Sequence, residues 1–356
     1  MSRRWNAKRP SNAPAKKRKP KRDGANSTQR ARRLTTAAND ARWLDAAARL
    51  STRARPASYP NPGVGCILLQ GDRVVGRGWT AAGGRPHAEA AALAQAGKEA
   101  RGATAYVTLE PCAHRSPRGP ACSDLLVEAG VARVVAGVED PDPRTAGDGL
   151  ARLRHAGIEA GLLRSPAAEA SLAGYLTRAR HDRPHVTMKI AMSLDGCIAM
   201  ASGESQWITG PQARAHVHAR RAMADAILVG GGTWRADRPS LDVRLPGLGE
   251  RSPQRVVLSR GVAPDGVTII NRPEQVAQLE ALYLYVEAGA NVAASFLAAD
   301  LVDRLEIYRA PIIVGAGRGA VADIGLERLD DAHGRWALAE RRQLGSDSFA
   351  AYSRLR

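Results

Sequence analysis

The sequence predicts a soluble α/β protein of two domains, and three observations carry that reading. At 356 residues the chain exceeds the usual size of a single core, so two domains of roughly 100 to 200 residues each are expected. Through the first half, short apolar and β-branched runs alternate with Ala- and Leu-rich stretches, the order of an α/β sandwich. A helix expected over 167–180 ends at His181-Asp182-Arg183-Pro184, ahead of a further strand, and puts the boundary within 165–183. No run approaches the roughly 18 apolar residues that cross a bilayer, and no apolar stretch follows the charged N-terminus. There is no internal repeat.

The chain opens with a basic segment. A net charge of +17 suggests nucleic acid, but residues 1–33 hold thirteen Lys or Arg against one acid, Asp23, which makes +12 and leaves +5 for the rest. Poor in large apolar residues and holding Pro10, Pro14, Pro20 and Gly24, residues 1–37 are expected to be a disordered basic extension. Such a tail suits RNA or an acidic partner, and equally a plain solvated extension. Aromatic residues are 4% of the chain and, beyond Trp5, do not interleave with the basic run, which weighs against single-strand binding by stacking. Nucleic acid is not the expected partner, although the tail leaves it open.

Next comes the apolar run Gly65-Cys66-Ile67-Leu68-Leu69, in which Cys66 reads as a small buried hydrophobe, as Cys197 does later. Ala88 to Ala96 reads as a helix with His87 in its first turn. Ala103 to Leu109 alternates as a strand ending at Glu110-Pro111, so Cys112 falls just past a strand end, and Ser123 to Ala129 reads as a helix behind Cys122. His87, Cys112 and Cys122 are candidate ligands of Zn2+, because one imidazole and two thiolates suit its tetrahedral preference and leave a position for water. Such an ion activates water near neutral pH, and a carboxylate that is not a ligand must then carry protons; Glu89 is the candidate. His-x-Glu ahead of Pro-Cys and a second Cys is the order found in nucleobase deaminases, with nine residues, Ala113 to Ala121, separating the cysteines here. A structural zinc would need a fourth ligand instead of a free carboxylate. Residues two apart on a regular helix do not share a face, so the pattern leaves open whether Glu89 faces the metal. Four cysteines in a chain this large call for no disulfide framework, and a reducing cytoplasm fits.

In the second half, Val229-Gly230-Gly231-Gly232-Thr233 and Gly315-Ala316-Gly317-Arg318-Gly319 follow apolar strands. Neither is a G-x-G-x-x-G opening a βαβ unit, so a Rossmann fold is not supported. After the strand Leu282 to Val286, the backbone nitrogens of Gly289, Ala290 and Asn291 open a helix and could cradle a cofactor phosphate.

Longer motifs carry a resemblance. Asn61-Pro62-Gly63-Val64-Gly65-Cys66, Pro86-His87-Ala88-Glu89 and Thr108-Leu109-Glu110-Pro111-Cys112-Ala113-His114 resemble the deaminase half of the bifunctional riboflavin-biosynthesis deaminase/reductase family. Lys189 to Gly196, Ser202 to Thr209, Gly232-Thr233 with Asp237, Pro239, Leu241 and Arg244, and Val286-Glu287-Ala288-Gly289 are similar to its reductase half. The resemblance runs from about Asp40 to the C-terminus in the same domain order. It implies a cytidine-deaminase-like α/β/α zinc domain over 38–165, a linker helix over 166–183 and a dihydrofolate-reductase-like α/β domain over 184–356. The implied chemistry is hydrolytic deamination of a phosphoribosyl-diaminopyrimidine, a pyrimidine ribonucleotide, followed by NADPH reduction of its ribosyl group to a ribitylamino uracil. A homo-oligomer is also implied.

Residues matching the family's nucleotide-binding positions are Ala191, Trp207, Thr233, Asp237 and the turn from Gly289 through Ala290 and Asn291 to Ser295. Those matching its substrate contacts are Asn61 and Arg118 in the first domain and Lys189, Ser205, Arg221, Leu241, Arg244 and Glu287 in the second. Arginines such as Arg221 and Arg244 can pair with a phosphate bidentately, and Trp207 can cover a flat ring. The chain departs from the family in its longer loop between the cysteines, and at Thr80, Trp234, Asp242 and Ser259, where His, Val, Thr and Asp are common. These changes bear on the cofactor pocket's rim more than on the reaction. Two other classes stay open: a nucleic-acid- or nucleoside-acting zinc deaminase with a non-reductase second domain, and a non-catalytic zinc-containing binding protein. The first would not need the motifs from Lys189 onward, and in the second Glu89→Ala would alter only local charge.

Overall fold

The computed structural model describes residues 24–114, 117–261 and 266–356, with side chains from residue 37. Helix α1 (Gly24–Ser51) begins inside the stretch read from sequence as a disordered extension. The reason is compositional: Ala25 to Ser51 holds no Pro or Gly and is rich in Ala, Arg and Leu, good helix formers, while the prolines that argue for disorder all precede it. Residues 1–23 of the expected extension lie outside the described residues. From Asp40 onward the chain forms one compact unit.

The first sheet comprises β1 (Gly65–Gln70), β2 (Arg73–Trp79), β3 (Thr104–Val107), β4 (Arg133–Ala136) and β5 (Glu159–Leu162), in the order β2-β1-β3-β4-β5. Strand β1 is antiparallel to both neighbours, and β3, β4 and β5 are parallel. Side chains alternate across this sheet. On one face Cys66 and Leu68 meet helices α2 (Ala88–Ala96), α3 (Cys122–Glu128) and α4 (Asp148–His155), and on the other Ile67 and Leu69 meet Leu44 and Ala47 of α1. Two helical layers thus enclose the sheet, as an α/β/α sandwich requires.

The single connecting helix expected over 167–180 is instead two, α5 (Pro166–Ser171) and α6 (Ala173–His181), broken at Leu172. Ala168, Leu172 and Leu176 all pack into the first core. Strands β6 (His185–Met192) and β7 (Cys197–Ala199), helix α7 (Pro211–Arg221), β8 (Ala226–Gly230) and α8 (Gly231–Asp237) follow. Then come β9 (Gln254–Leu258), β10 (Thr268–Ile270), β11 (Tyr283–Glu287), α9 (Ala290–Ala298), β12 (Arg304–Arg309), β13 (Arg318–Gly319), β14 (Trp336–Leu344) and β15 (Asp347–Arg354). The second sheet runs β10-β9-β8-β11-β6-β12-β15-β14, parallel from β10 to β12 and closed by two antiparallel strands. Its near-continuous apolar strands, such as Ala226 to Gly230, are buried on both faces, as parallel strands are. The C-terminal ends of β6, β8 and β11 lie side by side, where open α/β sheets bind ligands.

Candidate active sites

His87 caps helix α2 instead of lying in its first turn: its backbone is extended, with φ −68° and ψ 162°. Helical spacing therefore does not separate it from Glu89, which the next turn brings inward and buries to 3% exposure. Helix α2 lies hard against β2, where a Cβ at Gly78 would stand 2.1 Å from the Ala88 carbonyl oxygen. Cys112 follows β3 outside any helix or strand, and Cys122 opens α3. His87 Nδ1 is 3.3 Å from Cys122 Sγ and 3.7 Å from Cys112 Sγ, and the ligand atoms of all three lie within 4.8 Å of one another. The longer loop between the cysteines is tied at its ends: the Cys122 amide donates to Cys112 Sγ at 3.2 Å and Ser123 Oγ donates to the Cys112 carbonyl at 3.0 Å. One imidazole and two thiols so placed fit a zinc ion with one position left for water.

Burial pushes the Glu89 carboxyl up to about 7, with His87 opposing and Cys112 adding to the rise. Of the two thiols, that of Cys112 is held low, by its hydrogen bond with Cys122 and, against burial, by His87 and the Cys122 amide. The Cys122 thiol is pushed up by Cys112 and by burial. Cys66 is fully buried, and desolvation pushes its thiol well above the ordinary range, consistent with a core residue.

His87, Glu89 and Cys112 line a cavity of about 360 Å³. Asn61 is on its wall, and its buried Nδ2 has no partner among the described residues, as befits a donor meant for a ligand. Thr80 donates to the Pro62 carbonyl and accepts from the Val64 amide, each at 2.9 Å, and so fixes the turn that carries Asn61. Arg118 lines the cavity and donates to the Gly83 carbonyl at 2.6 Å, with Arg85 and Arg144 also lining. Sequence reasoning missed Arg85, Asp140, Asp142, Arg144 and Tyr175. The acidic turn Glu139-Asp140-Pro141-Asp142 after a strand was a usable signal for two of them. Nothing local marks Tyr175, whose hydroxyl crosses from α6 to donate to Asp140 Oδ1 at 2.7 Å.

At the second sheet, parallel pairing sets Lys189 of β6 beside Glu287 of β11. Lys189 Nζ is 3.7 Å from Glu287 Oε2, and Arg221 Nε donates to Glu287 Oε1 at 2.6 Å and, through its other nitrogen, to the Asp242 carbonyl at 2.9 Å. Burial alone would raise the Glu287 carboxyl, but Lys189 and Arg221 together hold it below its ordinary value. Thr233 at the start of α8 comes to the head of α9, where a Cβ on Gly289 would be 4.0 Å from Thr233 Oγ1. Gly289 caps α9, leaving the first-turn amides of Ala290 and Asn291 without helical partners.

Other expected contacts are placed differently. The stretch read as a turn through Ser295 is helix, and Ser295 Oγ donates back to the Val292 carbonyl at 2.9 Å, away from the cradle. Leu241, with φ +56°, packs its side chain into the core and leaves only backbone for a ligand. Ala191 is half-buried on β6, and Ser205, Trp207 and Asp237 are exposed, Trp207 under the Arg214 guanidinium at 4.8 Å. Arg244 is exposed, with Nε 3.4 Å from Asp242 Oδ1. Ser259 fills the space beside Gly231, and Trp234 packs on the core.

Comparison with known proteins agrees with both halves. Residues 37–138 match the cytidine and deoxycytidylate deaminase zinc-binding region, and residues 184–349 match the RibD C-terminal domain. The chain is 40% identical to riboflavin biosynthesis protein RibD of Escherichia coli over 360 residues, 86% of this chain and 97% of that one. It is 38% identical to the Mycobacterium tuberculosis protein of the same name over 315 residues, 83% of this chain and 92% of that one. The structure of Acinetobacter baumannii RibD superposes with a TM-score of 0.78 at 36% identity, covering 90% of this chain and 100% of that one. A Thermotoga maritima diaminohydroxyphosphoribosylaminopyrimidine deaminase/5-amino-6-(5-phosphoribosylamino)uracil reductase gives 0.78 at 27% identity with the same coverage.

Proposed function

The chain belongs to the RibD family of riboflavin-biosynthesis deaminase/reductases, and we propose that it performs the two reactions of that family at the two sites described above. It is an enzyme of riboflavin biosynthesis that uses Zn2+ and NADPH. The domains are read as a deaminase over 38–165 and a reductase over 184–356, joined by 166–183. The observation that carries the deaminase reading is the convergence of His87, Cys112 and Cys122 beside the buried carboxyl of Glu89, which stands outside that cluster.

His87, Cys112 and Cys122 would hold zinc, which when bound activates water. Overall, water oxygen replaces the pyrimidine's exocyclic nitrogen, which leaves as ammonia. Glu89, with its carboxyl raised to about 7, takes a proton and returns it to ring nitrogen or to the departing amine at neutral pH. Asn61 orients the ring or ribose with its unpaired amide, and Arg118 on the cavity lining meets the phosphate. In the second domain the amides of Gly289, Ala290 and Asn291 and the Thr233 hydroxyl hold the cofactor, which supplies hydride when bound. Lys189, paired with Glu287 at 3.7 Å, would protonate or hydrogen-bond the ribosyl oxygen. Arg221 holds Glu287 and the Asp242 backbone, and so would shape the substrate side of that site. The small-molecule substrate is a pyrimidine ribonucleotide, the setting is cytoplasmic, and the assembly is a homo-oligomer. No helix among the described residues is long and apolar enough to cross a membrane.

The test supplies zinc-loaded protein with the phosphoribosyl-diaminopyrimidine and NADPH while ammonia release and NADPH oxidation are followed together. Both signals are expected in the parent. Glu89→Ala should lose about 100-fold or more of ammonia release while keeping its zinc. Undiminished release in that variant would remove Glu89 from the chemistry.

A further inference from the structure

Two walls of the deaminase cavity lead back to one residue of the reductase half, Tyr283. The first wall, Pro60-Asn61-Pro62, ends a run of tight turns in which the Ser58 amide donates to Ala54, Tyr59 to Pro56 and Asn61 to Ser58 at 2.8, 3.0 and 2.9 Å. At the head of that run Arg55 leaves its own half. Its guanidinium lies 3.3 Å from the centroid of the Tyr283 ring and donates to the Met223 carbonyl at 3.0 Å. Asp225, which accepts from the amides of Leu282 and Tyr283 at 2.9 and 2.8 Å, attracts the same cation.

The second wall contains Asp140, held by the Tyr175 hydroxyl of α6. The residue before Tyr175 meets the same ring: a Cβ on Gly174 would be 2.6 Å from Tyr283 Cε2 and Cζ. The Tyr283 hydroxyl donates to the Ser171 carbonyl at 3.0 Å, and Arg178 on α6 donates to the carbonyls of Leu279 and Ala281 at 2.6 and 2.9 Å. One ring therefore carries on its face the cation that heads one wall, and against its edge the helix that carries the other. Tyr283 opens β11, whereas Glu287 and Gly289 lie at and beyond its far end, about 13 Å away at the rise of a parallel strand. A change at the near end can reach the deaminase cavity without touching the hydride-transfer groups.

We propose that Tyr283 is a positioning residue for deamination, acting through Arg55 on the Asn61 wall and through Gly174 and Tyr175 on the Asp140 wall. The proposal rests on the deaminase reading of the zinc site. It makes the deaminase half dependent on the reductase half for its substrate-binding shape, though not for its metal.

The experiment uses the zinc-loaded full chain, with Arg55→Met, Tyr283→Leu, Tyr283→Phe and the double variant Arg55→Met/Tyr283→Leu. Deamination and NADPH reduction of the separately supplied deaminated nucleotide are assayed apart, and amide exchange is measured over residues 58–64. Arg55→Met and Tyr283→Leu should each raise the deamination KM about tenfold, the scale of one desolvated cation–aromatic contact, with kcat little changed. Tyr283→Phe keeps the ring and should keep the KM. The double variant should be no worse than Tyr283→Leu alone, because both changes break one contact. Reduction should be unaffected, and residues 58–64 should exchange faster in Arg55→Met, which leaves the reductase core intact should Tyr283→Leu fail to fold. An unchanged KM with unchanged exchange in Arg55→Met would overturn the proposal, as would equal loss of both activities. Absence of ammonia release by the parent would instead strike the deaminase reading, and the exchange result would still decide the positioning role.

Discussion

Arg221→Met should separate the two activities while destabilising the reductase half. Arg221 and Glu287 form a pair whose side chains are 10% and 14% exposed, joined at 2.6 Å. The change removes that charged hydrogen bond and the one to the Asp242 carbonyl at 2.9 Å, leaving Glu287 with only Lys189 at 3.7 Å among these cations. Breaking a buried pair by removing one partner costs about 3–5 kcal/mol, and the remaining attraction of Lys189 places the expected loss near the lower end, about 3 kcal/mol. Urea unfolding of the variant measures it. Arg221→Met/Glu287→Gln should recover part of the loss, because no carboxylate is then left under-compensated while Lys189, 18% exposed, loses its partner. NADPH oxidation should fall while ammonia release persists. A loss below about 0.5 kcal/mol in the single variant would show the pair to be solvent-screened, as exposed pairs are, and would refute the argument from burial.

Three further outcomes follow from the same structure. Removing zinc with a chelator should stop ammonia release but not NADPH oxidation with the deaminated nucleotide, and zinc should restore the former; persistent release would exclude His87, Cys112 and Cys122 as the required site. Burial raises the Asp303 carboxyl, but Arg183, donating at 2.7 and 2.8 Å, brings it down to about 2. A folded value below the ordinary 3.8 gives stability that is complete above about pH 4 and lost as pH falls through about 2. Asp303→Asn should therefore cost about 2 kcal/mol at pH 7 and flatten the acid decline, as read from urea midpoints at several pH values. Gly78→Ala would set a Cβ 2.1 Å from the Ala88 carbonyl, so α2 must shift; about 1–3 kcal/mol of stability and some zinc affinity should be lost, measured by urea unfolding and by metal competition.

The candidate zinc ligands, the candidate proton carrier and the order of the two α/β halves were legible in the sequence because each depends on residues close together along the chain. Pro111-Cys112 follows a strand, Cys122 opens a helix, and His87 to Glu89 start another, so local rules position them. Whether Glu89 faces the metal was not legible. That depends on His87 adopting an extended backbone at the cap, and on Gly76 and Gly78 letting α2 lie directly on β2. Helix α1 starts at Gly24, inside the stretch that composition marks as extension, because the prolines lie before Gly24 and none lies between Ala25 and Ser51.

What tertiary structure alone decided are meetings across long stretches of chain. Lys189 meets Glu287 because strands β6 and β11 are neighbours, Arg221 reaches the same carboxylate from α7, Tyr175 reaches Asp140 from α6, and Arg55 lies on the ring of Tyr283. Periodicity reports which face of an element is apolar, but not which element will cover it or at what register. Residue types and their local order thus determined the chemistry available to this protein. Packing between distant segments decided which of those groups share a cavity and which half of the molecule holds its walls.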